Sequence, residues 1–159
     1  MTEKSEMKFG SLQEILEFAI QKEAEAHDFY LEWSGRMEKA SMKKKLQDFA
    51  NEELKHKEKL TAIKTNKLQM QALSPEKKVI DLKIGDYLVD VDPNTDLDYQ
   101  GALILAMKKE KKAFKLYDDL AEMAQNENIR TLFLGLAQEE AKHKLRLETE
   151  YDEYILTEN

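Results

Sequence analysis

Hydrophobic residues recur every three to four positions along four long stretches of the chain, which is the period of one face of an α-helix. The stretches cover approximately residues 11–35, 40–72, 97–125 and 128–155. They are rich in Glu, Lys, Leu, Ala and Met, which are strong helix formers. Only short polar breaks separate the first stretch from the second and the third from the fourth. The pattern therefore predicts an all-α fold, a four-helix bundle built from two antiparallel helix hairpins.

The connection between the second and third stretches, residues 73–96, is different in character. It holds both prolines of the chain and short runs of alternating hydrophobic and polar residues, such as 84–91. A connection of this length can run along a whole bundle, which would allow helices two and three to lie parallel. Thr95 to Asp98 resembles a capping box that would open the third helix. The sequence predicts one domain over 1–159, with hairpin one at 11–72, the crossover at 73–96 and hairpin two at 97–155.

The two predicted hairpins are copies of each other. Shifting the chain by 87 residues, the distance from Glu23 to Glu110, aligns them without a gap. Roughly a quarter of the aligned positions are identical, against about a twentieth expected by chance. Two copies are too few for a solenoid, which needs at least about three repeating units. The pattern indicates an internal duplication.

Charged residues interrupt the apolar seam of every helix at one level. The seam positions step by four and three residues, which is the spacing of buried positions in packed helices. The first hairpin turns near residue 38 and the second near residue 125, and the glutamates of each pair lie equally far from their turn. We therefore expect four glutamates to meet at mid-bundle. The interrupting residues are Glu23 in helix one, Glu53 and His56 in helix two, Glu110 in helix three, and Glu140 and His143 in helix four.

Four carboxylates buried together are strongly unfavourable without cations, because they lose hydration and repel one another. Two divalent cations would neutralise the four charges, and the two imidazoles would complete a shared site. One Glu from each of two helices with Glu-x-x-His from the other two is the ligand pattern of di-iron and di-manganese bundles. These ligands suit iron or manganese better than copper, and zinc also fits them. A solvated face of Glu and His is the alternative, but it leaves the apolar seam above and below unexplained.

At these residues the sequence resembles the ferritin-like di-iron carboxylate superfamily, and most closely its rubrerythrin-like branch. The resemblance covers about residues 11–155 and implies a four-helix bundle with a long crossover and dinuclear iron as the cofactor. The segments that carry it are 19–23 with Tyr30, 49–56, 106–110 with Tyr117, and 136–143. By this resemblance, Glu23 and Glu110 are terminal ligands, Glu53 and Glu140 are bridging ligands, and His56 and His143 each bind one metal. The same six residues are the candidate catalytic residues.

The sequence departs from typical rubrerythrins in two ways. They carry a rubredoxin-like iron–cysteine domain, whereas this chain has no cysteine, so we expect a separate electron-donor protein. They also have an extra Glu three residues after the third-helix ligand, where this chain has Ala113. The redox-linked ligand exchange implied for the peroxidase is therefore not carried over to this chain.

Five further polar residues each allow a functional and a structural interpretation. Tyr30 and Tyr117 lie two turns from Glu23 and Glu110, and each hydroxyl either hydrogen-bonds a ligating carboxylate or finds its partner elsewhere in the core. His27 is either a spare ligand or a residue at an ordinary apolar-facing position. Its repeat partner, Phe114, favours the second interpretation because it is apolar. Glu52 and Glu139 directly precede the candidate ligands Glu53 and Glu140 but lie off the seam, so we expect both on a solvated face.

Composition narrows the functional classes. Without cysteine there are no disulfides, zinc ribbons, iron–sulfur clusters or cysteine nucleophiles. The net charge is −7, which argues against a partner that is nucleic acid or an anionic membrane. The first ten residues lack the apolar core of a signal peptide, so we expect a cytoplasmic protein. Helices one and three are apolar on more than one face, near 15–20 and 102–107, which favours a homodimer.

The leading hypothesis for function is an oxidoreductase, a non-haem di-iron peroxidase or oxidase that reduces hydrogen peroxide or dioxygen. A ferroxidase with a role in iron handling is an alternative, and it would need a cage or a partner that takes up ferric iron. A di-iron oxygenase acting on an organic substrate is a third, and it would need an apolar channel. A bundle that binds metal only for stability is the non-enzymatic alternative.

Overall fold

A computed structural model describes residues 7–73, 82–91 and 97–158 of the protein. These residues are almost entirely helical, which confirms the predicted all-α fold. The α-helices are α1 (Leu12–Arg36), α2 (Ala40–Thr65), the short α3 (Lys67–Leu73), α4 (Tyr99–Met123) and α5 (Glu127–Glu158). A 3₁₀-helix covers Ile84–Tyr87. In the part of the chain that the structure describes, no helix is long and apolar enough to cross a membrane.

The chain divides into two compact units. One unit contains α1, α2 and α3, and the other contains residues 7–8, the 3₁₀-helix, α4 and α5. Each unit is built on one of the two predicted hairpins. Whether the whole chain behaves as the predicted single domain stays a prediction.

The first unit is an antiparallel hairpin of α1 and α2. The hydroxyl of Ser11 accepts a hydrogen bond from the backbone N–H of Glu14 at 3.1 Å and so caps the start of α1. Near the closed end, the rings of Tyr30 and Phe49 pack edge to face. Towards the open end, Lys64 forms an ion pair with Glu17 at 3.2 Å. Its fully buried apolar side chains include Ile15, Leu16, Leu60 and Ile63.

The second unit repeats this arrangement with α4 and α5. The Asp98 carboxylate accepts a hydrogen bond from the N–H of Gly101 at 2.7 Å and caps α4. The side-chain oxygen of Asn126 accepts one from the N–H of Ile129 at 2.9 Å, just before α5. Tyr99 and Tyr154 pack edge to face at the open end of this hairpin. Its buried apolar side chains include Leu120, Phe133, Leu136 and Leu147.

The second predicted helix is divided in the structure. The prediction of one helix over 40–72 is wrong at Asn66, which has an extended backbone between α2 and α3. Its side-chain oxygen accepts a hydrogen bond from the N–H of Gln69 at 3.1 Å. An asparagine that satisfies the first free N–H groups of a new helix competes with continuation of the old one.

The described part of the crossover, residues 82–91, is held by α4. The predicted alternation at 84–91 corresponds in part to the 3₁₀-helix, because tertiary contacts stabilise a turn there. The buried hydroxyl of Tyr87 donates a hydrogen bond to Asp119 at 2.6 Å. The ammonium of Lys112 donates one to the Asp86 carbonyl at 3.2 Å. Residues 74–81 and 92–96, which include Thr95 of the predicted capping box, lie outside the described residues.

Candidate metal centre

The first unit places three of the predicted ligands together. Glu23 comes from α1, and Glu53 and His56 come from the facing side of α2, where a spacing of three residues puts them on one face. All three residues are at most 2% exposed. The Nδ1 atom of His56 lies 3.6 Å from Oε2 of Glu23 and 3.4 Å from Oε1 of Glu53. One ligand atom from each residue lies within 4.8 Å of the others. We call these residues the first triad.

The second unit places the other three predicted ligands in the same way. Glu110 comes from α4, and Glu140 and His143 come from α5. These three residues are also at most 2% exposed. The Nδ1 atom of His143 lies 3.7 Å from Oε1 of Glu110, and one ligand atom from each residue lies within 4.8 Å of the others. We call these residues the second triad.

Apolar residues surround each triad along its helices. Ala19 precedes Glu23, and Phe49 and Leu60 flank Glu53 and His56, all of them buried. The triads are therefore part of a core and not of a solvated surface, so the alternative of a solvated Glu and His face is wrong. A buried carboxylate is costly unless its charge is compensated. Two carboxylates and one imidazole with no compensating cation would carry two negative charges in such a core.

The donor set of each triad fits a divalent metal ion. Carboxylate oxygens are hard ligands, and imidazole nitrogen suits iron, manganese and zinc at a mixed site. A single divalent cation would neutralise the two carboxylates of its triad, and the neutral imidazole would add a third ligand. The buried cluster is therefore a candidate metal site on the chemistry of its own residues.

Tyr30 and Tyr117 lie in the cores of their own hairpins. Tyr30 packs edge to face against Phe49 with ring centroids 5.4 Å apart. Tyr117 stacks on Phe133 with ring centroids 6.3 Å apart. Both rings are fully buried and lie two turns along the helix from Glu23 and Glu110. Their proposed hydrogen bonds to ligating carboxylates stay a prediction.

His27 has a polar role that sequence reasoning missed. Its side chain is half-buried, and its Nδ1 atom lies 2.9 Å from the backbone carbonyl oxygen of Ala50 in α2. The repeat partner Phe114 had suggested a purely apolar position. The pairing of polar His27 with apolar Phe114 in the internal repeat could have indicated this role, because it marks a difference between the two hairpins.

Glu52 and Glu139 are half-buried in the structure. The sequence had led us to expect a solvated face for both residues. They are partly covered instead, because both lie next to a seam position. Ala113, at the position of the extra glutamate of typical rubrerythrins, is also half-buried. An alanine methyl group cannot bind a metal ion, so that position supplies no ligand here.

The geometry can now be compared with known proteins. A family model described as rubrerythrin matches residues 14–84 and 101–159. The chain belongs to the rubrerythrin family. Each matched segment contains one complete triad of this rubrerythrin. The predicted relationship to the rubrerythrin branch is confirmed, and with no cysteine these 159 residues hold no rubredoxin-like domain.

Among solved structures, this rubrerythrin is similar to a protein from Thermotoga maritima that is described as a ferritin-like diiron-carboxylate protein. The two chains are 24% identical, the alignment covers 94% of this chain and 97% of the other, and the TM-score is 0.70. The likeness shows that this chain has the ferritin-like fold. None of the curated proteins is detectably similar in sequence.

Proposed function

We propose that this rubrerythrin is a non-haem di-iron oxidoreductase that reduces hydrogen peroxide or dioxygen. The observation that carries the proposal is the repetition of one buried triad, a Glu and a Glu-x-x-His pair, in both units. A repeated, charged and buried arrangement is costly for folding. It is expected where a bound cation compensates the cost and provides a function.

The charge of the two triads supports a pair of metal ions. Four carboxylates need about two divalent cations for neutrality, and each triad offers one imidazole. We propose that Glu23 and Glu110 are terminal ligands, that Glu53 and Glu140 bridge, and that His56 and His143 bind one ion each. Two ferrous ions held there would supply two electrons, which with two protons reduce one hydrogen peroxide to water or one dioxygen to hydrogen peroxide.

The protein residues determine what can reach such a centre. The apolar seam around each triad excludes bulk water, which strengthens the interaction of the carboxylates with any bound cation. We propose that the hydroxyl groups of Tyr30 and Tyr117 help to orient the ligands, as outer residues of metal sites commonly do. In such a site the ligands are held in place, and the small oxidant is the only substrate that has to enter the core.

We propose that the reductant lies outside these 159 residues. The 159 residues contain no cysteine, so they cannot hold the iron–cysteine centre that supplies electrons within typical rubrerythrins. We propose that a separate electron-donor protein reduces the centre, and that both proteins act in the cytoplasm.

The first test is metal content followed by reactivity. Protein made in iron-rich medium, without metal-affinity steps, is expected to hold about two iron atoms per chain by elemental mass spectrometry. The reduced, iron-loaded protein should then be oxidised rapidly by hydrogen peroxide or by dioxygen under stopped flow. Glu53→Ala should hold less iron and react slowly, whereas Glu52→Ala, which changes the neighbouring half-buried glutamate, should behave as the wild type.

The outcomes separate the functional alternatives. Equal oxidation rates in the wild type and Glu53→Ala would contradict the proposal. Formation of mineral cores or a large oligomer would instead favour iron handling. Failure to bind iron, manganese or zinc after anaerobic reconstitution would show that the buried carboxylates are not a metal site.

A further inference from the structure

One hydrogen bond joins the two helices of the first hairpin beside its triad. The His27 ring in α1 lies with Nδ1 2.9 Å from the carbonyl oxygen of Ala50 in α2. A backbone carbonyl can only accept, so Nδ1 carries the hydrogen and donates it. His27 lies four residues after Glu23, and Ala50 lies three residues before Glu53. The bond therefore lies one helical turn from the ligands, towards the closed end of the hairpin.

The second hairpin cannot make the corresponding bond. The internal repeat pairs His27 with Phe114 and Ala50 with Ala137. A phenylalanine has no hydrogen-bond donor on its side chain. Its ring is 39% exposed, whereas Ala137 is buried. The two hairpins carry the same three ligands, but they differ in the contact one turn away.

This difference bears on how well each triad is prepared for a metal ion. Every triad takes one glutamate from one helix and two residues from the other, so sliding of the helices against each other separates the ligands. Apolar contacts are non-directional and tolerate small slides. A hydrogen bond needs a distance and an angle, and it therefore restricts the slide. Residues outside the ligand set that hold ligands in position commonly change metal affinity by about 10- to 100-fold.

We propose that His27 is a positioning residue that makes the first triad the tighter of the two metal positions. This inference rests on the proposed metal site. It predicts that the two positions fill in order, the first triad before the second. It also predicts that the order depends on the donor at position 27 and not on the bulk of the side chain there.

The test is a titration of the full-length apo-protein with Co²⁺ alone, followed by visible absorption and calorimetry near neutral pH. The wild type is expected to bind in two steps whose dissociation constants differ by about tenfold or more. His27→Phe copies the residue of the second hairpin and should weaken the tight step by about tenfold. His27→Asn places an amide N–H close to the position of Nδ1 and should stay within about threefold of the wild type. Phe114→Ala is the matched control, which should leave the tight step unchanged.

Thermal unfolding of the apo-variants separates positioning from simple packing. If His27 only stabilised the hairpin, His27→Phe would lower the melting temperature and leave the ratio of the two Co²⁺ constants unchanged, which would overturn the inference. Equal constants in the wild type would overturn it too, as would equal losses in His27→Phe and His27→Asn. Absence of any Co²⁺ binding to the wild type is a different result, because it would contradict the proposed function itself.

Discussion

Glu53 shows at the residue scale how a buried carboxylate proposed as a metal ligand reduces the stability of the apo-protein. Its carboxylate is buried, with Oε1 3.4 Å from Nδ1 of His56, and Oε2 of Glu23 lies 3.6 Å from the same nitrogen. Without a cation, the charges of these carboxylates reduce the stability of the folded protein. Functional sites commonly carry such a cost, so a substitution that removes a buried charge often stabilises the protein while it removes the function.

We therefore expect Glu53→Gln to raise the free energy of unfolding of the apo-protein by about 0.5–2 kcal/mol. The same variant should lose the stabilisation by Mn²⁺, which for one site is about 2.7 kcal/mol at a free concentration 100 times the dissociation constant. Urea unfolding with and without Mn²⁺ measures both effects. Glu52→Gln is the control and should respond to Mn²⁺ as the wild type. An apo-protein destabilised by Glu53→Gln would contradict the argument.

Tyr99 is expected to make the folded protein less stable at alkaline pH. Burial of its ring raises the pKa of the hydroxyl to about 12, and the charge of Glu150 adds to the effect. The folded pKa lies above the unfolded value of 10.0, so the unfolded chain loses this proton first. The contribution of Tyr99 to stability is therefore fully present below pH 10 and is lost as the pH rises towards 12. Urea unfolding across this window should show a smaller loss of stability in Tyr99→Phe than in the wild type. Parallel pH profiles would contradict the assignment.

At the scale of single elements, side-chain caps determine where helices begin. The sequence predicted a start near Thr95 from a capping-box pattern, but the residue that caps α4 is Asp98, which bonds the N–H of Gly101. Both positions carry a cap-forming side chain. Spacing alone did not decide between them.

Replacing the Asp98 cap gives a test at this scale. Asp98→Ala removes the acceptor for the Gly101 N–H and should reduce the free energy of unfolding by about 1 kcal/mol. Asp98→Ser keeps an oxygen that can accept the same bond and should retain most of the stability. Chemical denaturation of the three proteins measures the difference. Equal stability of the wild type and Asp98→Ala would show that this cap contributes nothing.

At the scale of the whole molecule, the duplication provides a matched pair of proposed metal ligands. His56 and His143 occupy equivalent positions in the two hairpins, and both are buried. We expect His56→Ala and His143→Ala each to reduce the bound metal from about two ions per chain towards about one. If His27 orders the filling, His56→Ala should remove the tighter Co²⁺ step and His143→Ala the weaker one. The reverse assignment of the two steps would contradict that ordering.

The predicted homodimer also belongs to this scale. The reason for it was the apolar character of α1 and α4 on more than one face, near 15–20 and 102–107. It stays a prediction, and light scattering at micromolar concentration tests it. A monomer would show that these faces are covered within one chain. A small dimer would also argue against an iron-storage role, which needs a large assembly.

The sequence by itself determined the helices, their pairing into two hairpins and the identity of both triads. These features follow from helical periodicity, which is a local property. A residue's place in the heptad-like seam sets the face it presents, and its distance from the turn sets its level. Glu23, Glu53 and His56 could therefore be grouped by counting, and the internal repeat grouped Glu110, Glu140 and His143 in the same way.

The side-chain hydrogen bonds between residues far apart in the sequence could be found only in the tertiary structure. The bond from His27 to Ala50 joins residues 23 positions apart, and the bond from Tyr87 to Asp119 joins residues 32 apart. Neither has a periodic signature, because each depends on how one particular side chain fits against its neighbours. Such contacts hold the 3₁₀-helix against α4 and distinguish two hairpins whose ligands are the same.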